Sequence, residues 1–428
     1  MQVHPMALVS THSNIMSRRE WIVVVLLFVS VIINYIDRSN LSISAVVLER
    51  QIGLTPLQMG SLLGAFFWTY ALLQIFGIAG WIADRFPVSL VLACGFFVWS
   101  GATVATGFQS SFVSLFTAGL FLGLGESVAF PCYSRIFAEL PQQYRGRANA
   151  LLDAGTKLGP AVGTFVGGML LIHFGWRILF IALGLGGLLW LGPWFKFMPR
   201  PRPKQASKSE PLPPISLLLR NGPAWGTFLG HFCGLYFFYF LLAWLPSYLA
   251  MEMKLSLLAM THLTSTIFLV IASSTLTTGW LSDHLIAKGA SPTRVRKTIV
   301  VCGLSVASSI LLLAFLRGNL TASISVLLVA CIGYGAYSSN HWAISQTLAG
   351  PAMAGRWGSV QNGVGNLAGI AAPWLAGLAV QIRGNSSAAF FLAGVMVIVG
   401  AVIWGYMVPR VEQVQWNTSP NFDKAMAS

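Results

Sequence analysis

The stretch Asn34-Tyr35-Ile36-Asp37-Arg38-Ser39-Asn40 lies inside the first long apolar segment of the chain, which begins at Trp21. A carboxylate and a guanidinium stand where the neighbouring residues read as hydrocarbon-soluble helix. Charge held inside a bilayer is expensive, so such residues mark a functional site by default. The surrounding composition makes the bilayer reading firm. Of the 428 residues only 9% are charged and 55% are hydrophobic, and mean hydropathy is +0.71. Soluble domains carry about 25% charged residues. A chain this poor in polar surface is a polytopic membrane protein.

Apolar segments follow one another at 21–46, 58–80, 88–108, 111–138, 147–172 and 176–197. A second series runs at 222–250, 258–281, 296–316, 320–349, 356–381 and 386–408. Each is long enough to cross about 30 Å of hydrocarbon as a helix. Segments of this length are helices and not barrel strands, because every backbone polar group must be satisfied internally. The fold class is therefore all-α, with twelve spans in two six-helix halves. The expected boundaries are a cytoplasmic tail at 1–20, bundles at 21–197 and 222–408 joined by a cytoplasmic linker at 198–221, and a second tail at 409–428. The linker carries Arg200, Arg202, Lys204, Lys208 and several prolines. The first apolar run is too long, and too closely followed by others, to be a cleaved signal.

With the N-terminus inside, 19 of the 26 Lys and Arg fall on the cytoplasmic side, five on the other, and Arg38 and Lys157 within spans. That bias puts both termini in the cytoplasm. It also accounts for the net charge of +14 without nucleic acid as a partner. The five cysteines all fall in apolar segments and lack CxxC spacing. They read as small buried hydrophobes, with no disulfide framework or metal site expected. No P-loop pattern, HExxH or Ser–His–Asp order is present. Gly123, Gly125, Gly184, Gly186 and Gly187 read as helix-packing residues and not as dinucleotide loops.

The halves echo each other. Gly80-Trp81-Ile82-Ala83-Asp84-Arg85 follows the second span, and Gly279-Trp280-Leu281-Ser282-Asp283-His284 follows the eighth. Internal repeats of this kind mark secondary transporters, whose site lies near the midplane between the repeats. Together with the six-plus-six spans, the motif and its second copy resemble the major facilitator superfamily. Asn34-Tyr35-x-Asp37-Arg38-x-Asn40, Gly123-x-Gly125-Glu126 with Phe130-Pro131, and Trp244-Leu245-Pro246-x-Tyr248 resemble the anion:cation symporter family within it. That family includes bacterial galactonate, glucarate and hexuronate carriers and animal organic-anion and phosphate carriers. The resemblance implies a proton-coupled symporter of an organic anion, a sugar acid or related carboxylate, working by alternating access. It implies a transporter and not an enzyme. The location expected is a bacterial inner membrane, with membrane lipid around a monomer and no cofactor beyond the coupling proton. Exchange without proton coupling and a sodium-coupled version are the alternatives.

Residue by residue, Arg38 offers a rigid fork for a carboxylate and keeps its charge at any working pH. Asp37 is its neighbour in sequence but points about 100° away on a helix, a poor ion-pair geometry. A carboxyl in an apolar cavity can hold a proton near neutral pH, so Asp37 is a coupling candidate. The other reading is a permanent counter-charge. Glu126 has no sequence neighbour to pair with, so it is protonated or paired across helices; the resemblance implies proton coupling. Many relatives carry an arginine seven residues before this glutamate, where this chain has Gly119. Lys157 lies too deep for easy snorkelling. It is read as a clamp on a second carboxylate, or as a partner of Glu126 or Asp153. Tyr35 and Thr156 complete the substrate set in the N-terminal half. Span ten concentrates Tyr334, Tyr337, Ser338, Ser339, Asn340, His341, Trp342 and Ser345, and span eleven Gln361, Asn362 and Asn366. Ser339, Trp342 and Asn362 resemble substrate-contacting positions of the family; interhelical hydrogen bonds are the competing reading. His341 is read as a satisfied bundle residue, Tyr236 and Tyr239 as cavity-lining gate residues or packing, and Gly234 with Pro246 as a bend. Asp84, Arg85, Asp283 and Arg356 are read as a conformational latch that breaks as the halves rock.

Overall fold

The first span begins at a capped end. Ser17 Oγ accepts from the Glu20 backbone N–H, and the Glu20 carboxylate accepts from the Ser17 N–H at 2.8 Å. This reciprocal box satisfies two otherwise orphaned donors. Helix α1 then runs Arg18–Ile52 and stops at Gly53, whose φ of 73° is the left-handed conformation glycine adopts without strain. The structure, a computed structural model, describes residues 16–140, 142–198, 215–316 and 319–416. Most of the expected linker and the chain ends lie outside them, as do Arg200, Arg202, Lys204, Lys208, Arg317 and Lys424.

The helices after α1 are α2 (Pro56–Ile75), α3 (Ile78–Arg85), α4 (Val88–Thr106), α5 (Phe112–Ser127), α6 (Ala129–Ala138), α7 (Gln142–Leu188) and α8 (Leu191–Phe197). They continue as α9 (Ile215–Leu219), α10 (Gly222–Ser247), α11 (Leu257–Ala287), α12 (Pro292–Ala307), α13 (Leu320–Asn366), α14 (Ala368–Arg383) and α15 (Ser387–Tyr406). Among the described residues there is no strand. Two of these helices each make two spans. Helix α7 breaks at Gly175 and α13 at Gly350, each with positive φ. After Gly175 the chain returns along its own half: Arg177 donates to the Gly107 carbonyl at one end and Trp194 to the Ser89 carbonyl at the other. Helices α5 and α6 together form the fourth span, and α2 with α3 forms the second, bent by 65°. The described residues thus form an integral, multi-pass, all-helical membrane protein of twelve spans.

The second span corrects the sequence reading. A straight segment to residue 80 was expected, followed by a loop motif. Instead α2 ends at Ile75, Gly77 takes φ 69°, and the Gly-Trp-x-x-Asp-Arg motif forms the short helix α3. A glycine amid apolar residues hides this break from a hydropathy reading. The second copy, by contrast, continues α11 without interruption to Ala287.

Small residues set the closest helix approaches, as packing in lipid requires. Within the N-terminal half, Gly123 lies against the Phe66 carbonyl and Thr69 of α2, and Gly125 against Gly95 and Trp99 of α4. Thr69 Oγ1 donates to the Leu120 carbonyl across that contact at 2.7 Å. A Gly123→Ala substitution should cost about 1–3 kcal/mol by overpacking, read as a lower melting temperature of the purified protein. Between the halves, α2 packs on α14, the first arm of α7 on α11, and α1 on α10. Gly60 meets Pro373 and Gly377, Gly168 meets Thr261, and Ser265 donates to the Ala161 carbonyl at 2.9 Å. These contacts close the seam on the side away from the chain ends.

Candidate functional site

Arg38 reaches out of α1 to the fourth span. Its Nε donates to Glu126 Oε2 at 2.9 Å, with side chains 3% and 0% exposed. Three rings surround the guanidinium: Tyr35 at 4.7 Å, Phe66 at 4.5 Å and Tyr70 at 4.8 Å from ring centroid to Cζ. Tyr35 comes from α1 itself, three residues back, and Phe66 and Tyr70 are one turn apart on α2. Ring faces carry partial negative charge, so this box stabilises the cation after water has been removed. The pair is only half satisfied, because Arg38 Nη2 and Glu126 Oε1 have no hydrogen-bond partner. A buried ion pair offsets its desolvation only when the remaining donors and acceptors are met. One nitrogen and one oxygen are left over at the seam of the molecule.

Asp37 is 4% exposed and makes no ion pair among the described residues. Asn40 Nδ2 donates to its Oδ1 at 3.5 Å, and Thr103 of α4 faces it. Asp37 and Arg38 both line a cavity of about 50 Å³ bounded by α1, α2, α5, α10 and α14. Tyr239 of α10 closes it from the C-terminal half. The Tyr239 hydroxyl donates to Asn366 Oδ1 at 2.7 Å; Asn366 Nδ2 donates to the Asn362 carbonyl at 2.8 Å; Asn362 Nδ2 donates to Gln74 Oε1 at 2.6 Å. A polar chain thus runs from the cavity wall back across the seam to α2.

Lys157 does not pair with Glu126 or Asp153: among the described residues no carboxylate oxygen lies within 4.0 Å of its ammonium. Glu126 is already held by Arg38, and the field of Lys157 falls on His231 and His341 of the other half. Thr156 turns inward, its hydroxyl donating to the Asp153 carbonyl at 2.7 Å.

The profile of the Major Facilitator Superfamily matches residues 27–373. The chain belongs to the Major Facilitator Superfamily, and within it to the anion:cation symporter family. It is 32% identical over 407 residues to a probable anion transporter 4, chloroplastic, of Oryza sativa, covering 90% of this chain and 68% of that one. To the D-galactonate transporter of Escherichia coli it is 29% identical, with 93% and 97% covered. The fold matches a bacterial homolog of the human lysosomal transporter Spinster in an inward-facing and occupied conformation. That match has a TM-score of 0.75 at 18% identity and covers 92% and 97% of the two chains.

In this member of the Major Facilitator Superfamily, Gly119 packs on Ala65 and lines the cavity; the cation that answers Glu126 is Arg38. Ser339 is half-buried, donating to the Ala336 carbonyl and accepting from Asn340 Nδ2, both at 2.7 Å. Trp342 packs edge-on against His231 at 5.2 Å. His341 stacks on His231 at 4.8 Å, and its Nδ1 bonds to the Ser338 carbonyl while Nε2 has no partner. It is therefore half satisfied. Tyr236 is buried in the C-terminal core and does not line the cavity. Gly234 lies against the Tyr337 ring as a packing residue inside the unbroken α10.

The latch reading needs revision in one part. Asp283 lies 3.9 Å from Arg296, joining α11 to α12 within one half, so rocking of the halves need not break it. Asp84 and Arg85 are exposed and Arg356 is half-buried. Arg135 donates to the Ala83 and Phe86 carbonyls, tying α6 to α3. Phe66, Tyr70, Gln74, Thr103 and His231 were missed from sequence. The one-turn spacing of Phe66 and Tyr70 was the available signal for the box.

Proposed function

We propose that this transporter is a proton-coupled symporter of an organic anion, a sugar acid or related carboxylate, that works by alternating access. The observation that carries the reading is the half-satisfied Arg38–Glu126 pair beside a cavity at the seam. The unpartnered Arg38 Nη2 is a donor for a cargo carboxylate. That carboxylate competes with Glu126 for the guanidinium fork, which matches carboxylate geometry bidentately. A proton on Glu126 removes its charge and releases Arg38 to the cargo. Asp37, on the same wall, is a second proton acceptor. Anion on Arg38 and proton on Glu126 each favour the other, and that reciprocal coupling free energy is what symport requires. With both bound the charges of Arg38 and the cargo cancel and Glu126 is neutral, and the halves can part on one side and close on the other. Lys157, half-buried and facing the C-terminal half, meets the anion on its way to the side that carries the chain ends. That side is the cytoplasm, in the inner membrane of a bacterial cell.

The test is uptake into proteoliposomes. An imposed inward proton gradient is expected to drive accumulation of the carried acid, and Asp37→Asn to reduce it. Uptake that ignores the gradient, with Asp37→Asn equal to wild type, would remove proton coupling. Stimulation by preloaded anion alone would then point to exchange.

A further inference from the structure

The wall around the free face of Arg38 is hydrocarbon. Of the thirteen residues that line the cavity, only Asp37, Arg38 and Tyr239 carry polar side chains. The others include Leu62, Phe67 and Leu122 from the N-terminal half and Leu242, Ala243 and Pro373 from the C-terminal half. Both halves therefore present apolar surface to whatever sits on the guanidinium. The Tyr239 hydroxyl already donates to Asn366 Oδ1, which leaves it only as an acceptor. Of the amides in span eleven, Asn362 is bonded to Gln74 and Asn366 to the Asn362 carbonyl, and Gln361, whose amide atoms have no partner, does not line this cavity. Ser339 is likewise engaged with Ala336 and Asn340. Gly119 adds neither charge nor donor to this wall.

A buried hydroxyl without a partner is unfavourable, and each further one adds to the penalty. A sugar acid brings such a hydroxyl on nearly every carbon beyond its carboxylate. An aromatic or branched aliphatic body brings none and buries apolar area against leucine, phenylalanine and proline. The cavity is about 50 Å³ in this closed seam, so the cargo is admitted as the halves part, and the same side chains face it.

We propose that the preferred cargo is a carboxylate with an apolar body, aromatic or branched aliphatic, in preference to a polyhydroxylated sugar acid. This rests on the reading of Arg38 as the carboxylate anchor and keeps, of the organic-anion reading, the related carboxylates and not the sugar acids. The specificity residues are Leu62, Phe67, Leu122 and Leu242, which act by offering no hydrogen bond.

The experiment is a thermal-shift titration of the purified full-length protein with benzoate, phenylacetate, 3-methylbutanoate, D-galactonate and D-glucuronate, repeated on Arg38→Gln. The first three acids are expected to stabilise the protein at concentrations about 100-fold below the sugar acids, the discrimination an apolar pocket reaches against added hydroxyls. The shift should vanish in Arg38→Gln. A Leu122→Asn variant, which plants an amide in the wall, should narrow that ratio at least tenfold. If the sugar acids bind as well as or better than the apolar acids in an Arg38-dependent way, the inference falls and the anion-carrier reading stands. If no carboxylate gives an Arg38-dependent shift, the anchor reading fails and takes the inference with it.

Discussion

Glu126→Gln is expected to abolish uphill uptake while leaving exchange of anion for anion intact. The glutamine is nearly isosteric and neutral at every pH, so it imitates the protonated acid. Its amide oxygen still accepts from Arg38 Nε, now 2.9 Å from Glu126 Oε2, but without the charge that made this a strong bond. Anion then competes for Arg38 against a weak acceptor and binds tightly whether or not a proton is available. The pH dependence of binding should flatten over the range in which wild type weakens as pH rises. The sign follows from competition: wild-type Glu126 that has lost its proton holds Arg38 against the cargo, so high pH opposes binding. Under a one-unit pH gradient a carrier moving one proton with each anion gains about 1.4 kcal/mol, roughly tenfold accumulation. The variant should equilibrate and stop. Uptake against a pH gradient and counterflow from preloaded vesicles measure the two halves of the prediction. Accumulation retained by Glu126→Gln would move the coupling proton to Asp37 alone.

The reasons such a variant can be named from this chain differ between fold and site. The bilayer fixes a minimum helix length, and long apolar runs report it directly, so twelve spans and their order are visible in composition. The break of α2 at Gly77 is not visible, because a glycine there lowers hydropathy no more than the packing glycines at 123 and 125. The costly charges are equally plain in sequence: Asp37, Arg38, Glu126 and Lys157 stand out because hydrocarbon tolerates so few of them. Their partners do not. Arg38 and Glu126 are 88 residues apart, and the rings that box the guanidinium come from two helices. Lys157 was as good a partner for Glu126 as Arg38 was until the helices were placed. In α13 the residue types announced hydrogen bonding, but only packing shows that Asn362 is bonded to Gln74 and that Ser339 is bonded within its own helix. A polar residue in a span has two possible audiences, cargo and neighbouring helix, and spacing does not distinguish them.

Arg38 gives the second large effect, and its stability and its transport should separate. Arg38→Gln leaves Glu126 fully buried with no cation. Removing one member of a buried pair costs about 3–5 kcal/mol unless the survivor neutralises itself. The single variant should therefore melt well below wild type at neutral pH and recover as pH falls and Glu126 takes a proton. The double variant Arg38→Gln/Glu126→Gln carries no buried charge at this point, and two amides can bond to each other across the same gap. Its melting temperature should return close to wild type, a strongly non-additive cycle of the kind expected for residues in contact. Transport should not return. The cargo carboxylate has lost a charge-assisted, bidentate partner worth about 3 kcal/mol, a factor of 100 or more in binding. Arg38→Lys is expected to restore stability in part and transport poorly. An ammonium is a point charge that cannot hold Glu126 or a carboxylate through a planar fork, and it stacks less well among Tyr35, Phe66 and Tyr70. Thermal unfolding across pH and anion binding on these proteins, with Glu126→Gln to close the cycle, decide the matter. A double variant as unstable as Arg38→Gln would show that the guanidinium is needed for its packing among the rings, and a double variant that still binds carboxylates would move the anchor away from Arg38.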